Sequence, residues 1–242
     1  MGDPGMAISD LQFPEGVKVH DCVSAPLLAE ALAGKVAEQL REAIERQNVA
    51  TLVVSGGRSP VAFFQCLARQ SLDWSRVVIS LADERWVPIE HADSNAGLLK
   101  RYLLVGAVQQ ARFVSLYQTT SSQEEAAAVA DDLLGQLPPI DVLVLGMGDD
   151  GHTASLFPDS PNLEQALALN SERRCWPMLA PSVPHQRLSM SRALLASARF
   201  KVLSVQGQSK LTTLRTALAG DDVAQMPIRA FLHTELDIYW CQ

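Results

Sequence analysis

The sequence predicts an α/β protein organised around an open, mostly parallel sheet, and three observations predict it. Short β-branched runs alternate with longer helical patterns along most of the chain, the signature of βαβ units. The segments TLVV (51–54) and DVLVL (141–145) are near-continuous apolar runs, as expected of strands buried on both faces. No repeat, low-complexity stretch or linker divides the 242 residues, which at roughly 150 residues per domain favours one large domain over two small ones. The expectation is therefore a single-domain, Rossmann-like fold over 17–242 with helices on both faces of the sheet, preceded by a leader at 1–16.

Composition narrows the function. Hydrophobic residues are 48% and charged residues 19% of the chain, with a mean hydropathy of +0.07; this excludes disorder, collagen and coiled coil as the main organisation. Twenty Lys and Arg against 27 Asp and Glu leave a net charge of −7 and a pI near 5.2. Nucleic acid and anionic membrane are accordingly not expected as partners, and an anionic ligand needs a local cationic site. Cys22, Cys66, Cys175 and Cys241 form no CxxC pair, so neither a disulfide framework nor a zinc ribbon is expected, and a cytoplasmic location fits best. Residues 1–16 lack the basic and apolar regions of a signal peptide, and no apolar run approaches the roughly 18 residues of a membrane span. A second Met at Met6, after a Gly/Asp/Pro stretch, is what an added extension looks like, so Met1–Gly5 are kept out of the fold reading.

Strands are expected at Val17–Cys22, Thr51–Val54, Arg76–Leu81, Ala111–Ser115, Ile140–Leu145, Lys201–Val205 and Leu236–Trp240. The first connecting helix, Pro26–Gln47, carries Leu28, Leu32, Val36, Leu40 and Ile44 at i, i+4 spacing, a single apolar face. Further helical patterns span Pro60–Arg69, Asn95–Leu104, Ser122–Leu137, Asn162–Leu169, Arg192–Ser197 and Ser209–Ala219. Ser24 before Pro26 and Ser59 before Pro60 read as helix starts with Pro in the first turn, and Asp93-Ser94-Asn95 supplies an N-cap. The Pro-rich stretch Trp176–Pro184 reads as a loop within the domain, ahead of a short strand at Leu188–Met190.

Ligands of open α/β sheets bind outside the carboxyl ends of the strands, so the segments after each strand carry the functional argument. Ser55-Gly56-Gly57-Arg58-Ser59-Pro60 joins a strand to a helix; its glycines permit close backbone approach, and free N–H groups at the helix start favour an anion. It is a phosphate-cradle candidate, although Gly-Gly also serves ordinary βα turns, and it is not a GxxxxGK[ST] loop. Ala82-Asp83-Glu84-Arg85-Trp86-Val87-Pro88 places two acids beside an Arg whose planar fork suits phosphate or carboxylate; taken alone it reads as a solvated charge run. The segment Gly146–Pro158, GMGDDGHTASLFP, is the most informative. Three glycines in six residues bend the backbone and deliver Asp149, Asp150 and His152 at the mouth of the sheet. An imidazole there can take a proton from water near neutral pH while an Asp orients it. Lys210 follows another strand–glycine junction, and it is one of only five lysines; a cation at a helix N-terminus asks for an anionic partner. His185 and Arg187 add two further candidate anion ligands. No GxSxG elbow, glycine-turn Cys or HExxH is present, which disfavours covalent acyl transfer and zinc.

In the order SGGRSP, ADERWVP with DSN, LGMGDDGHTASLFP, PHQRLSMS and GQSK, the chain resembles the 6-phosphogluconolactonase family, within the group that includes glucosamine-6-phosphate deaminases. The resemblance runs from about Val17 to Trp240. It implies an α/β fold without a cofactor and hydrolysis of 6-phospho-D-glucono-1,5-lactone to 6-phosphogluconate, in the oxidative pentose phosphate route. The expected site has Ser55, Gly56, Gly57, Arg58, Lys210, Arg187 and His185 around the phosphate, His152 as base and Asp150 as its orienting group. Arg85 either joins the phosphate ligands or faces the lactone carbonyl.

Deaminases of the group look like DGHIAFNEP around the histidine, with a carboxylate before the proline; Phe157 stands at that place here. The PHQRLSMS segment fits more loosely than the others, since the family more often reads Arg followed by Ile/Leu-Thr. A deaminase or isomerase and a non-catalytic sugar-phosphate sensor are the alternatives; the sensor reading calls for a DNA-binding helix-turn-helix, for which no spare segment is expected in this acidic chain. The expected partner is a small phosphorylated sugar lactone, and the expected state is a monomer or weak homo-oligomer.

Overall fold

The computed structural model describes residues 6–242; the question of Met1–Gly5 lies outside them. In chain order the elements are β1 (Val17–Cys22), α1 (Ala25–Gln47), β2 (Ala50–Val54), α2 (Val61–Ala68), β3 (Val77–Leu81), β4 (Asp83–Arg85), α3 (Asn95–Tyr102), β5 (Arg112–Val114), α4 (Gln123–Leu134), β6 (Val142–Leu145), α5 (Leu163–Leu167), β7 (Cys175–Leu179), β8 (Gln186–Met190), α6 (Arg192–Ala196), β9 (Phe200–Gln206), α7 (Gln208–Leu218), α8 (Arg229–Leu232) and β10 (Leu236–Cys241).

Seven strands form one sheet in the order β1-β10-β9-β6-β2-β3-β5, and every pairing is parallel. The central strands β2, β3 and β6 are buried at every position, which accounts for their continuous apolar runs. Helix α1 buries Leu28, Leu32, Val36 and Leu40 from its periodic face. The α/β class with a mostly parallel sheet and flanking helices is thus as expected.

The strand order, which periodicity does not encode, sets the position of the site. From β2 the chain builds outward through β3 to β5, then returns to add β6 on the other side of β2 and continues through β9 to β10. The carboxyl ends of β2 and β6 therefore flank the topological switch point, where such sheets leave a crevice. Register holds the two ends together: Val54 lies opposite Val144, and the Ser55 N–H donates to the Val144 carbonyl at 2.9 Å.

A second, antiparallel sheet of order β4-β8-β7 was not expected. The stretch read as a loop at Trp176–Pro184 contains the strand β7, paired with β8 as Pro177 opposite Leu188; only the turn beyond Leu179 is irregular. Pro177 disguises the strand, and it is tolerated because β7 is an edge, where its missing N–H costs no ladder bond. Strand β4 is likewise a three-residue edge made of the charged Asp83, Glu84 and Arg85. One helix start differs in detail, Pro60 being the N-cap of α2 rather than part of its first turn, whereas Ser94 caps α3 as expected, accepting from the Gly97 N–H.

Residues ahead of β1 pack with the domain. Ile8 lies in a short 3₁₀ turn and is 1% exposed, while Met6, Leu11 and Phe13 rest partly buried against the same core. Truncating Ile8 to Ala is expected to lower unfolding stability by about 2–4 kcal/mol, the usual cost of emptying a buried Ile site. Urea unfolding measures this; a change below about 0.5 kcal/mol would show that the segment does not belong to the cooperative core.

Candidate active site

A cleft of about 220 Å³ opens at the switch point, between the loops after β2 and β6, the first turn of α7 and the small sheet. The β2 loop contributes Ser55, Gly56, Gly57 and Arg58 to its lining. Gly57 has φ +97°, a conformation open to glycine and strained for other residues. A side chain on Gly56 would overlap the amide of Asn95, so this backbone passes directly against α3. The Ser55 hydroxyl is buried and has no partner among the described residues.

The opposite wall is cationic. Arg85 on β4 and Arg187 on β8 stand directly across from each other in the antiparallel pair, and both line the cleft. Like charges in this relation repel. Arg187 is only 6% exposed; its Nε donates to the Pro184 carbonyl at 2.8 Å, and its guanidinium lies over the Phe157 ring at 5.7 Å. Burial, then the charge of Arg85, pull its pKa below the ordinary arginine value. Arg85 donates through Nη1 to the Asp93 carbonyl at 2.6 Å, while its buried Nε is unpartnered among the described residues. Lys210, on α7, donates to Asp149 at 2.7 Å; Asp149 is largely exposed, so this is a weak ion pair that an anion in the cleft can replace.

The β6 loop presents the titratable pair. His152 Nδ1 lies 2.6 Å from Asp150 Oδ1, and the His152 backbone N–H donates to the same oxygen at 3.0 Å. With Nδ1 carrying the proton toward the carboxylate, Nε2 is left as the basic nitrogen for a ligand in the cleft. Burial pushes the Asp150 carboxyl up, but the hydrogen bonds from the His152 ring and backbone and the imidazole charge outweigh it and hold Asp150 below the usual range. The imidazole packs on Phe157 with centroids 4.3 Å apart. Gly148 makes the arrangement possible, because a Cβ there would overlap both the His152 ring and the Asp150 carboxylate. Gly151, at φ +80°, turns the chain between the two side chains.

Nine of the ten candidate residues thus belong to this assembly, with Asp150 standing behind His152 rather than in the lining. His185 is a correction. It is exposed, its ring contacts the Ala180 carbonyl at 2.9 Å, and it does not line the cleft; β8 begins only at Gln186, so His185 closes the hairpin instead. Sequence reasoning also missed two members. Asn95, read as part of a helix cap, lines the cleft, as does Asp83, which is buried and accepts from the Ser155 hydroxyl at 2.5 Å. Their signal was present in ADE and DSN, but not their convergence. Among the described residues no group of three or more His, Cys, Asp or Glu is placed to hold a metal.

The fold and site together define a class: open α/β proteins with a cationic cleft at the switch point, beside a His–Asp pair. A family model described as glucosamine-6-phosphate isomerases/6-phosphogluconolactonase matches residues 24–240, and the chain belongs to this family. It is 66% identical over 241 residues to a 6-phosphogluconolactonase of Pseudomonas putida, covering 100% of both chains. It is 59% identical over 236 residues to one of Pseudomonas aeruginosa, covering 97% of this chain and 99% of that one. The crystal structure of a 6-phosphogluconolactonase from Shewanella baltica OS155 is similar at a TM-score of 0.91 and 39% identity, covering 96% of this chain and 100% of that one.

Substituting Gly148 with Ala is expected to force His152 away from Asp150 and to lower any turnover that depends on the pair by at least about 10²-fold. A crystal structure of the variant with the 2.6 Å contact intact, or turnover near wild type, contradicts this account of the glycine.

Proposed function

We propose that the chain hydrolyses 6-phospho-D-glucono-1,5-lactone to 6-phosphogluconate by base-assisted attack of water, without a covalent intermediate, as a step of the oxidative pentose phosphate route. The observation that carries the reading is His152, held by Asp150 at 2.6 Å, in the same cleft as the opposed Arg85 and Arg187. The full-length similarity to chains named 6-phosphogluconolactonase supports the choice of substrate.

In this reading the phosphate takes the backbone N–H groups at Gly56 and Gly57, the free Ser55 hydroxyl and the charges of Arg187, Lys210 and Arg58. Arg85, with its unpartnered Nε, faces the lactone end and stabilises the developing oxyanion. His152 Nε2 removes a proton from water as the water oxygen bonds to C1. The tetrahedral intermediate then collapses: the bond from C1 to the ring oxygen breaks, and that oxygen receives the proton from His152 as a hydroxyl. The acid formed at C1 ionises to the carboxylate. Asp150 supports the transient imidazolium and fixes its orientation.

Phe157 argues against the amine-releasing alternative. It presents an apolar ring to His152 at the place where deaminases of the group carry a carboxylate, so that relay to the histidine has no counterpart here.

The test is release of 6-phosphogluconate from freshly prepared lactone above the spontaneous rate. His152→Ala is expected to lose at least about 10²-fold in kcat. Arg187→Ala is expected to raise KM about 10- to 100-fold, the equivalent of one charged hydrogen-bonding partner at about 1.5–3 kcal/mol. Retention of more than a tenth of turnover by the His152 variant removes it as the base, and ammonia release from glucosamine 6-phosphate moves the assignment to the deaminase.

A further inference from the structure

Of the charged residues in the ADER segment, Glu84 has no part in the chemistry above, yet it is the most deeply placed. Its side chain is fully buried, and both carboxylate oxygens are used. Oε1 accepts the backbone N–H of Arg85 and that of Asn95, each at 2.7 Å. Oε2 accepts the Ala96 N–H at 2.7 Å and the Ser94 hydroxyl at 3.3 Å. Burial is unfavourable enough to push this carboxyl up to about 7, against the backbone hydrogen bonds that lower it. Part of its work is capping α3: the Ser94 hydroxyl accepts only from the Gly97 N–H at 3.0 Å, and Glu84 takes the Asn95 and Ala96 N–H groups that this leaves.

What the carboxylate joins is more informative. Oε1 alone joins two elements, the Arg85 N–H on β4 and the Asn95 N–H on α3. Both oxygens thus hold the start of α3, where the Asn95 amide donates to the Asp83 carbonyl at 3.0 Å and rests against Gly56 so closely that no side chain fits between them. The Asp93 carbonyl, one residue ahead of the same cap, accepts from Arg85. We propose that Glu84 is a positioning residue for the anion site, a buried clamp that sets the separation between the Gly56–Gly57 backbone and the Arg85–Arg187 pair without touching the ligand. The proposal rests on the reading of the cleft as the site of a phosphorylated substrate.

Glu84→Gln keeps the shape but replaces one acceptor oxygen with an NH₂ group, which meets an N–H donor at 2.7 Å whichever way the amide lies. The clamp then opens on one side, and the anion loses its matched walls while the His152–Asp150 pair, on a different loop, stays in place. In steady-state assays with the lactone, KM is expected to rise at least about tenfold as ground-state binding is lost, and kcat to fall as well because Arg85, the proposed oxyanion donor, shifts with the clamp. Competitive inhibition by inorganic sulfate, whose charge is constant across the assay range, is expected to weaken by the same factor. A structural role alone lowers the thermal midpoint and the active fraction, hence kcat, and leaves KM and the sulfate inhibition constant unmoved; that result, or no change at all, overturns the proposal.

Asn95→Ala keeps the idea testable if the Gln variant does not fold. It is expected to show the same rise in KM, and the double variant less than the product of the two single effects. An Asn95 variant with wild-type KM overturns the connection through Gly56. If sulfate fails to compete in the wild-type protein, the anion-site reading falls and this proposal falls with it, whereas normal wild-type competition with an unaltered Glu84 variant rejects the clamp alone.

Discussion

The adjacency of β2 and β6 is the constraint on which the rest of the site depends. Two fully buried parallel strands end side by side, and the chain leaves the β2 end toward β3 and the β6 end toward β9. Neither connection covers the gap between them. The cleft lies at this gap, lined by the residues that open both connections, where sheets of this kind bind their ligands. The position of the site therefore follows from the order of strands, before any side chain is considered.

Within that gap, close backbone contact does the work that a longer loop would do by wrapping. Gly148 lets the His152 ring and the Asp150 carboxylate lie on bare main chain, and Gly56 lets Asn95 do the same on the other side. A histidine held by a ring hydrogen bond, a backbone hydrogen bond to the same carboxylate and an aromatic neighbour has little rotational freedom left to lose when substrate binds. Preorganisation of this kind places its contribution in the reacting geometry rather than in substrate affinity.

The parts of this arrangement that could be read from the sequence are those that follow a strand directly. Gly56, Gly57, His152, Asp150 and Lys210 each sit within a few residues of a long apolar run, so locating the strand located the residue. Asn95 and Glu84 could not be found that way, because their role arises from contacts between β4, α3 and the β2 loop, which no local pattern links. The small sheet was hidden for two different reasons: β4 is short and charged, and β7 contains Pro177 at an edge. His185 erred in the opposite direction. It stands two residues from Arg187, a separation that keeps side chains on one face of a strand, but the strand has not begun at that position.

Net charge makes the cationic wall more than decoration. The chain carries −7, yet it sets two arginines opposite one another in a partly dry cleft, a repulsion that Asp83, Asp93 and Glu84 offset in part and that an anion between or beside them lowers further. In the proposed reading Arg187 meets the phosphate and Arg85 the developing oxyanion. In the proposed substrate the phosphate is carried on C6, next to the ring carbon that bears the departing oxygen, so holding it fixes the position of the C1–O bond without engaging that bond. In that reading the anchored phosphate holds the ester against a fixed base and a fixed donor, the places proposed for His152 and Arg85 in the lining of the cleft.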